Sequence, residues 1–196
     1  DLDIRDSGSL KVIGAGRDKT GIDAGPLMVE ALGYGDRILH VHEAAFEMRG
    51  LSLTGGTQGA IANAGGQVVI RHSVIQRSVG TAIRNVADPA RRSHPSMIIE
   101  EALVADNSAV NGGGGVINTG DLFIVNSEFL RNSASFQGGA ILAAGNEVLA
   151  SHLYIINSRF EANEASEFGG AIAHYMGKLV IRGSYLSTTP PMAAAR

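Results

Sequence analysis

Short apolar segments recur six times along the chain with one shared spacing of apolar and small residues. Aligned on one core position, they contain Met48, Ile70, Ile99, Ile124, Ile155 and Ile181. Three positions later stand mostly small residues: Leu51, Ser73, Ala102, Ser127, Ser158 and Ser184. Five positions later stand apolar residues: Leu53, Ile75, Val104, Phe129, Phe160 and Leu186. Eight positions later stand small or polar residues: Gly56, Ser78, Asn107, Asn132, Asn163 and Thr189. The repeats are 22 to 31 residues apart, which predicts a stacked solenoid.

A second landmark, small residues followed by Ile or Val, recurs upstream of these segments at 59–61, 81–83, 114–116, 139–141 and 170–172. The apolar segments are short, rich in β-branched and aromatic residues, and separated by Gly, Asn and Ser, which favours strands over helices. Three such strands per repeat predict an all-β fold, a single-stranded right-handed parallel β-helix. With two N-terminal turns at 10–22 and 38–53, we expect about seven coils over residues 1–189 and a tail at 190–196.

The repeat also predicts which side chains face inward. Equivalent residues of successive coils stack about 4.8 Å apart in this fold, so the five isoleucines of the aligned position should form one interior column. The next residue points outward, which places Arg71 and Glu100 outside on neighbouring coils. The Asn that stands eight positions after the core residue suits a turn, because it tolerates left-handed backbone geometry and can form hydrogen bonds with neighbouring amides.

Composition then excludes several classes of function. The 196 residues include no cysteine, which excludes disulfides, thiolate zinc sites and a cysteine nucleophile. The net charge of −3 gives no electrostatic reason to expect nucleic acid as a partner. No apolar run approaches the roughly 20 residues of a membrane-spanning helix. Nothing in the chain predicts a cofactor.

Several motifs resemble those of known proteins. The segments 1–4, 10–16 and 20–23 look like the early coils of bacterial secreted right-handed β-helix repeat proteins, which often carry a CSLREA segment that this chain lacks. The GGAI motifs at 138–141 and 169–172, with FxxN at 129–132 and 160–163, are similar to those of polymorphic outer-membrane adhesins. The resemblance implies the same fold, an extracytoplasmic location (periplasmic, on the outer surface or secreted), and a structural or adhesive role. It implies no catalytic residues.

One outer surface carries a candidate catalytic patch. Its members are the residues that follow the aligned core position in neighbouring repeats: Arg71, His72, Glu100 and Glu101, with Arg49 beside them. The carboxylates would supply acid–base chemistry, and arginine would bind a sugar carboxylate, as in a polysaccharide lyase, hydrolase or epimerase. The alternative is a structural ladder of surface ion pairs, and a second column of alternating charge supports it: Arg77, Asp106 and Arg131. A cleft along the patch would favour the enzyme, whereas a flat face would favour a binding module.

Two histidines form the candidate metal site. His40 and His42 are separated by one residue on a predicted strand, so their side chains share a face. Two imidazoles and one carboxylate, from Asp36 or Glu43, would suffice to bind a metal. The alternative is a pair of exposed histidines with no ligand.

Two insertions break the repeat, at 86–95 and 145–152. Both fall between the same two strands of their coils, so both should project from one side of the rod. Loops on a rigid solenoid commonly carry recognition, and the candidate binding residues are Asp88, Arg91, Arg92, His94, Asn146, Glu147 and His152. Neutral drift of surface loops is the alternative. The expected partner is a protein or a surface glycan.

The two ends of the predicted solenoid differ. Pro190 and Pro191 would stop strand addition at the C-terminal end. No such device guards the N-terminal end, which we expect to be capped by further sequence or by a partner, because terminal strands expose unpaired backbone groups.

Overall fold

A computed structural model describes residues 2–5, 8–23, 37–87, 93–146 and 149–187. These residues form 24 strands and no helix, so none of them belongs to a helix long and apolar enough to cross a membrane. Coils 1 to 3 contain β1 (Leu2–Arg5), β2 (Ser9–Ile13), β3 (Gly21–Asp23), β4 (Leu39–His42), β5 (Ala45–Arg49), β6 (Ser52–Thr54), β7 (Ile61–Ala64), β8 (Gln67–Arg71) and β9 (Val74–Gln76).

Coils 4 and 5 contain β10 (Ile83–Val86), β11 (Ser96–Glu100), β12 (Leu103–Ala105), β13 (Ser108–Ala109), β14 (Val116–Asn118), β15 (Asp121–Val125), β16 (Glu128–Leu130) and β17 (Ser133–Ala134). Coils 6 and 7 contain β18 (Ile141–Ala144), β19 (Ser151–Ile156), β20 (Arg159–Glu161), β21 (Glu164–Ala165), β22 (Ile172–Tyr175), β23 (Gly177–Arg182) and β24 (Tyr185–Ser187).

The strands stack coil upon coil into three parallel sheets of seven strands each. Sheet 1 is β1-β4-β7-β10-β14-β18-β22, sheet 2 is β2-β5-β8-β11-β15-β19-β23, and sheet 3 is β3-β6-β9-β12-β16-β20-β24. A fourth sheet, which the sequence did not predict, joins β13, β17 and β21. The fold is the predicted right-handed parallel β-helix of seven coils, and its core lies between the three long sheets.

The predicted interior column is confirmed. Ile70, Ile99, Ile124 and Ile155 pair in register along sheet 2 and are fully buried. Ile181 continues the column opposite Ile155 but is 40% exposed, because it lies in the last described coil. The apolar column five positions later follows sheet 3 in the same way, where the rings of Phe129 and Phe160 stack with centroids 4.8 Å apart.

Buried asparagines link the coils through their side chains. Asn107 donates from Nδ2 to Asn132 Oδ1 at 2.9 Å, and Asn132 donates to Asn163 Oδ1 at 3.0 Å. The column was predicted, although these side chains are buried rather than placed in open turns. A second buried asparagine ladder, which sequence analysis did not identify, runs along sheet 1 through Asn63, Asn85 and Asn118. Such ladders satisfy polar groups that would otherwise be buried without partners.

The corner between sheets 2 and 3 is built from left-handed residues. His72, Glu101, Asn126 and Asn157 have φ between 47° and 50°, a conformation that asparagine tolerates better than most residues. Gly50 occupies the same corner in coil 2 with φ of 67°. His72 and Glu101 are therefore placed by the same backbone requirement as their non-ionisable counterparts in other coils.

The ends of the β-helix leave two predictions untested. Thr189 and the tail 190–196, including Pro190 and Pro191, lie outside the described residues. At the other end, coil 1 exposes Leu2, Ile13 and Ile22, and the capping of that end stays a prediction.

Candidate functional site

Both insertions arise at the corner between sheets 1 and 2, which we call the insertion corner. The first joins β10 to β11 in coil 4, and the second joins β18 to β19 in coil 6. In coils 3 and 5 only two residues make this connection, 65–66 and 119–120. The expectation that both insertions leave from one side of the rod is confirmed. Asp88, Arg91, Arg92 and Glu147 lie outside the described residues.

Three side chains from three successive coils meet at the insertion corner. Asp121 begins β15 of coil 5, and its Oδ1 lies 2.8 Å from Nδ1 of His152 and 3.1 Å from Nε2 of His94. The two imidazoles approach edge to face with centroids 6.3 Å apart. All three side chains are roughly one-third exposed, at 38% for His94, 31% for Asp121 and 37% for His152. We call this group the His-Asp-His cluster.

The backbone fixes the approach of His94 to Asp121. The amide of Asp121 donates to Pro95 O at 2.9 Å, and the amide of His152 donates to Gly120 O at 3.0 Å. A β-carbon at position 120 would lie 2.2 Å from Pro95 O, far inside contact distance. Glycine at this position therefore allows the end of the first insertion to lie against coil 5.

The second insertion is closed by its own hydrogen bonds. Asn146 Oδ1 accepts from the amide of Leu149 at 2.8 Å, and the amide of Asn146 donates to Leu149 O at 2.8 Å. This turn leads directly into Ser151, whose Oγ accepts from Asn118 Nδ2 inside the rod. Of the predicted binding-loop residues, Asn146 therefore shapes its loop, whereas His94 and His152 contribute side chains to a shared site.

The electrostatics of the cluster centre on the carboxylate. Burial of Asp121 acts to raise its pKa, but hydrogen bonds from His94 and His152 and their charges outweigh burial and hold the pKa below its ordinary value. The carboxylate is therefore ionised at neutral pH and faces two nitrogen atoms. A group with one anionic oxygen and two imidazole nitrogens can bind a cation or a polar ligand.

Sequence analysis named both histidines but missed Asp121. A signal was available, since Asp121 and His152 each stand three residues before an aligned isoleucine, Ile124 or Ile155. Extending the repeat alignment upstream would have placed them on neighbouring coils. The approach of His94 could not be found that way, because it depends on the path of the first insertion.

The predicted histidine pair forms a second cluster in coils 1 and 2, near the N-terminal end of the rod. His42 Nε2 lies 3.2 Å from His40 Nδ1, which in turn lies 3.6 Å from Asp3 Oδ1. The carboxylate in this group of possible metal ligands is that of Asp3. We had expected Asp36 or Glu43: Glu43 is not in the group, and Asp36 lies outside the described residues. Asp3 stands opposite His40 in the β1–β4 register.

Positive charges surround this second cluster. Arg5 donates to Asp3 Oδ2 at 2.9 Å. Burial lowers the pKa of His40 most, and the charges of His42, Arg37 and Arg5 lower it further, against an opposing effect of Asp3. A bound dication would meet the same repulsion from Arg5 and Arg37.

The candidate catalytic patch is a network of ion pairs. Arg71 Nε donates to Glu100 Oε2 at 2.7 Å, and its Nη1 lies 3.4 Å from Glu47 Oε1. Lys11 pairs with Glu47 at 2.9 Å, so ion pairs of alternating charge cross coils 1 to 4. They do not follow one column, because Arg71 stands opposite Arg49 in the strand register and reaches Glu47 diagonally. Hydrogen bonding from Lys11 lowers the pKa of the Glu47 carboxyl. We call this series of ion pairs the charge ladder.

The other two residues of the predicted catalytic patch, His72 and Glu101, face a different surface. His72 Nδ1 lies 2.7 Å from Glu101 Oε2. Both residues line an open groove of about 750 Å³ along the corner between sheets 2 and 3, together with Arg49 and Glu128, whereas Arg71 and Glu100 are not among its lining residues. The structure therefore divides the predicted patch in two. The second predicted column of charge also forms a pair, in which Arg131 donates to both carboxylate oxygens of Asp106.

No protein-family model, curated protein or solved structure matches this chain.

Proposed function

We propose that this chain is a non-catalytic, extracytoplasmic β-helix module that presents its insertion corner to a protein or glycan partner. It would serve as an element of structural display or adhesion, or as an accessory subunit of a larger assembly. The observation that carries the proposal is the convergence of both insertions on coil 5 through His94, Asp121 and His152. Recognition sites on solenoids commonly lie in loops that project from one face.

The ion pairs within the charged patch support a non-catalytic role. Arg71, Glu100 and Glu47 compensate one another across coils, as in a structural ladder. The hydrogen bond from Lys11 lowers the pKa of the Glu47 carboxyl, and a carboxylate that stays ionised is a poor general acid near neutral pH. The resemblance of the GGAI and FxxN motifs to those of outer-membrane adhesins supports export to the surface of a bacterium.

The test is native mass spectrometry of the full chain, isolated gently from its source, with two variants that shorten the insertions. One replaces 87–95 by Gly-Gly, as at Gly65–Gly66 of coil 3, and the other replaces 145–150 by Thr-Gly, as at Thr119–Gly120 of coil 5. We expect a stable complex with the wild type and its loss in both variants.

The matched control is Arg71→Ala with Glu100→Ala, which removes charge from sheet 2 and leaves the insertion corner intact. This control should retain the partner. A complex that survives both shortened insertions would contradict the proposal, as would a wild-type chain that is monomeric and binds no glycan.

A second function has one observation in its favour. The groove that holds His72, Glu101, Arg49 and Glu128 offers acidic, basic and imidazole side chains on an open surface, which suits a polysaccharide-active enzyme. The test is depolymerisation of acidic and neutral polysaccharides. Activity that is lost in Glu101→Gln and kept in the shortened-insertion variants would favour the enzyme over the binding module. If none of the polysaccharides is cleaved, the enzyme hypothesis is excluded.

A further inference from the structure

We propose that His94, Asp121 and His152 form a binding site for a divalent transition-metal ion, with zinc as the best-matched ion, that ties the two insertions to the body of the rod. The site lies at the insertion corner, but the inference does not depend on the partner proposed above. It follows from ligand type, spacing and the charges around the cluster.

The spacing of the ligand atoms fits a small cation. The three candidate ligand atoms all lie within 4.8 Å of one another, and two of the separations are 2.8 Å and 3.1 Å. Ligands placed tetrahedrally around zinc at about 2.0–2.1 Å lie about 3.4 Å apart. A small rotation of the carboxylate would therefore open the space for an ion, without a change in the backbone.

The ligand types favour zinc and related transition metals over calcium and magnesium. Imidazole nitrogen with one carboxylate oxygen is a common donor set for zinc, whereas calcium and magnesium prefer oxygen alone. His94 would coordinate through Nε2 and His152 through Nδ1, the two atoms that now face Asp121. Each imidazole would then carry its proton on the opposite nitrogen. Three protein ligands leave a further coordination position for water or for a group from a partner.

The described residues around the cluster do not oppose a positive ion. Among the described residues, the ion pairs of Asp121 are made with the two histidines. Lys178 stands opposite His152 in the β19–β23 register, yet its Nζ lies over the ring of Tyr154, 5.5 Å from the centroid. In the cluster of Asp3, His40 and His42, by contrast, Arg5 already occupies the carboxylate.

The site is also held in place before any ion binds. Asp121 is the first residue of β15 and pairs in register with His152, the second residue of β19. Pro95 is fixed against Gly120 by the hydrogen bond from Asp121 and by close packing. Ligands on such rigid positions bind a metal without a large ordering cost. An ion shared by coils 4, 5 and 6 would hold the ends of both insertions together.

The first test is titration of the chelator-treated full chain with zinc chloride, followed by calorimetry and native mass spectrometry. We expect one ion per chain with a dissociation constant of about 10 µM or tighter. His94→Gln, His152→Gln and Asp121→Asn should each weaken binding more than about 100-fold, since even outer partners of a metal ligand contribute 10–100-fold. His42→Gln is the matched control and should bind as the wild type does.

The second test reads out the insertions directly. Zinc should slow proteolytic cleavage within 86–95 in the wild type and have no such effect in Asp121→Asn, with far-ultraviolet circular dichroism confirming that the variant is folded. Three results would overturn the site: no binding to the wild type below about 1 mM, undiminished binding in the double variant of His94 and His152, or loss of binding in His42→Gln.

Discussion

At the scale of single residues, the buried asparagine side chains should contribute more to the free energy of unfolding than any surface ion pair. Asn132 is fully buried; its Nδ2 donates to Val104 O at 2.9 Å and to Asn163 Oδ1, and its Oδ1 accepts from Asn107. We expect Asn132→Ala to lower the free energy of unfolding by about 2–4 kcal/mol, because it leaves neighbouring buried polar groups without partners. Urea denaturation would measure the change.

The matched control for this prediction is Asn126→Gly in the same coil. Asn126 is exposed and lies in the left-handed corner, with φ of 48°, so glycine suits its backbone and little stability should change. A loss below about 1 kcal/mol in Asn132→Ala would show that its neighbours find other partners, and the ladder would then contribute little to the fold.

These residues also show what a repeat alignment can predict. The column of Asn107, Asn132 and Asn163 was visible because the same residue recurs at one position. The ladder of Asn63, Asn85 and Asn118 was not, because the position is Ala143 in the next coil and His174 in the last. Asp121 was missed for a related reason, since the next coil has a different residue, His152, at the same position, and only an upstream extension of the alignment brings the two together.

At the scale of one strand, the two faces of β11 should contribute very differently. Ile99 is fully buried between Ile70 and Ile124, whereas Glu100 pairs with Arg71 on the outside. We expect Ile99→Ala to cost about 2–5 kcal/mol. A double-mutant cycle of Arg71→Ala and Glu100→Ala should give a coupling of about 0.2–1 kcal/mol that weakens with salt.

The outcome of that cycle also bears on function. A small coupling that decreases with added salt would identify the charge ladder as a surface feature of modest structural value. A coupling well above about 1 kcal/mol would contradict this view and would indicate that the pair is held in a less hydrated environment. The strands of sheet 2 were predictable because their core residues recur at one aligned position, and in β8, β11 and β15 buried positions alternate with less buried ones. The short fourth sheet was not, since β13, β17 and β21 have only two residues each.

At the scale of the whole molecule, stability should vary along the rod. Each coil of a solenoid contacts only its neighbours, so a coil with two neighbours is held more firmly than one with a single neighbour. Ile124 of coil 5 is fully buried, whereas Ile181, at the same position of coil 7, is 40% exposed. Truncation of the isoleucine side chain should therefore lower the free energy of unfolding by different amounts at these two positions.

We expect Ile124→Ala to lower the free energy of unfolding by about 2–5 kcal/mol and Ile181→Ala to lower it by less than half as much. Hydrogen exchange of the wild type should follow the same order, with amides of β15 exchanging more slowly than those of β23, because the terminal coil opens locally without unfolding the rest. Equal losses in the two variants, with equal protection of the two strands, would contradict a one-dimensional stack. That result would mean that coil 7 is covered by another part of the chain or by a second molecule, which would make this end of the rod, as well as the insertion corner, a place of contact.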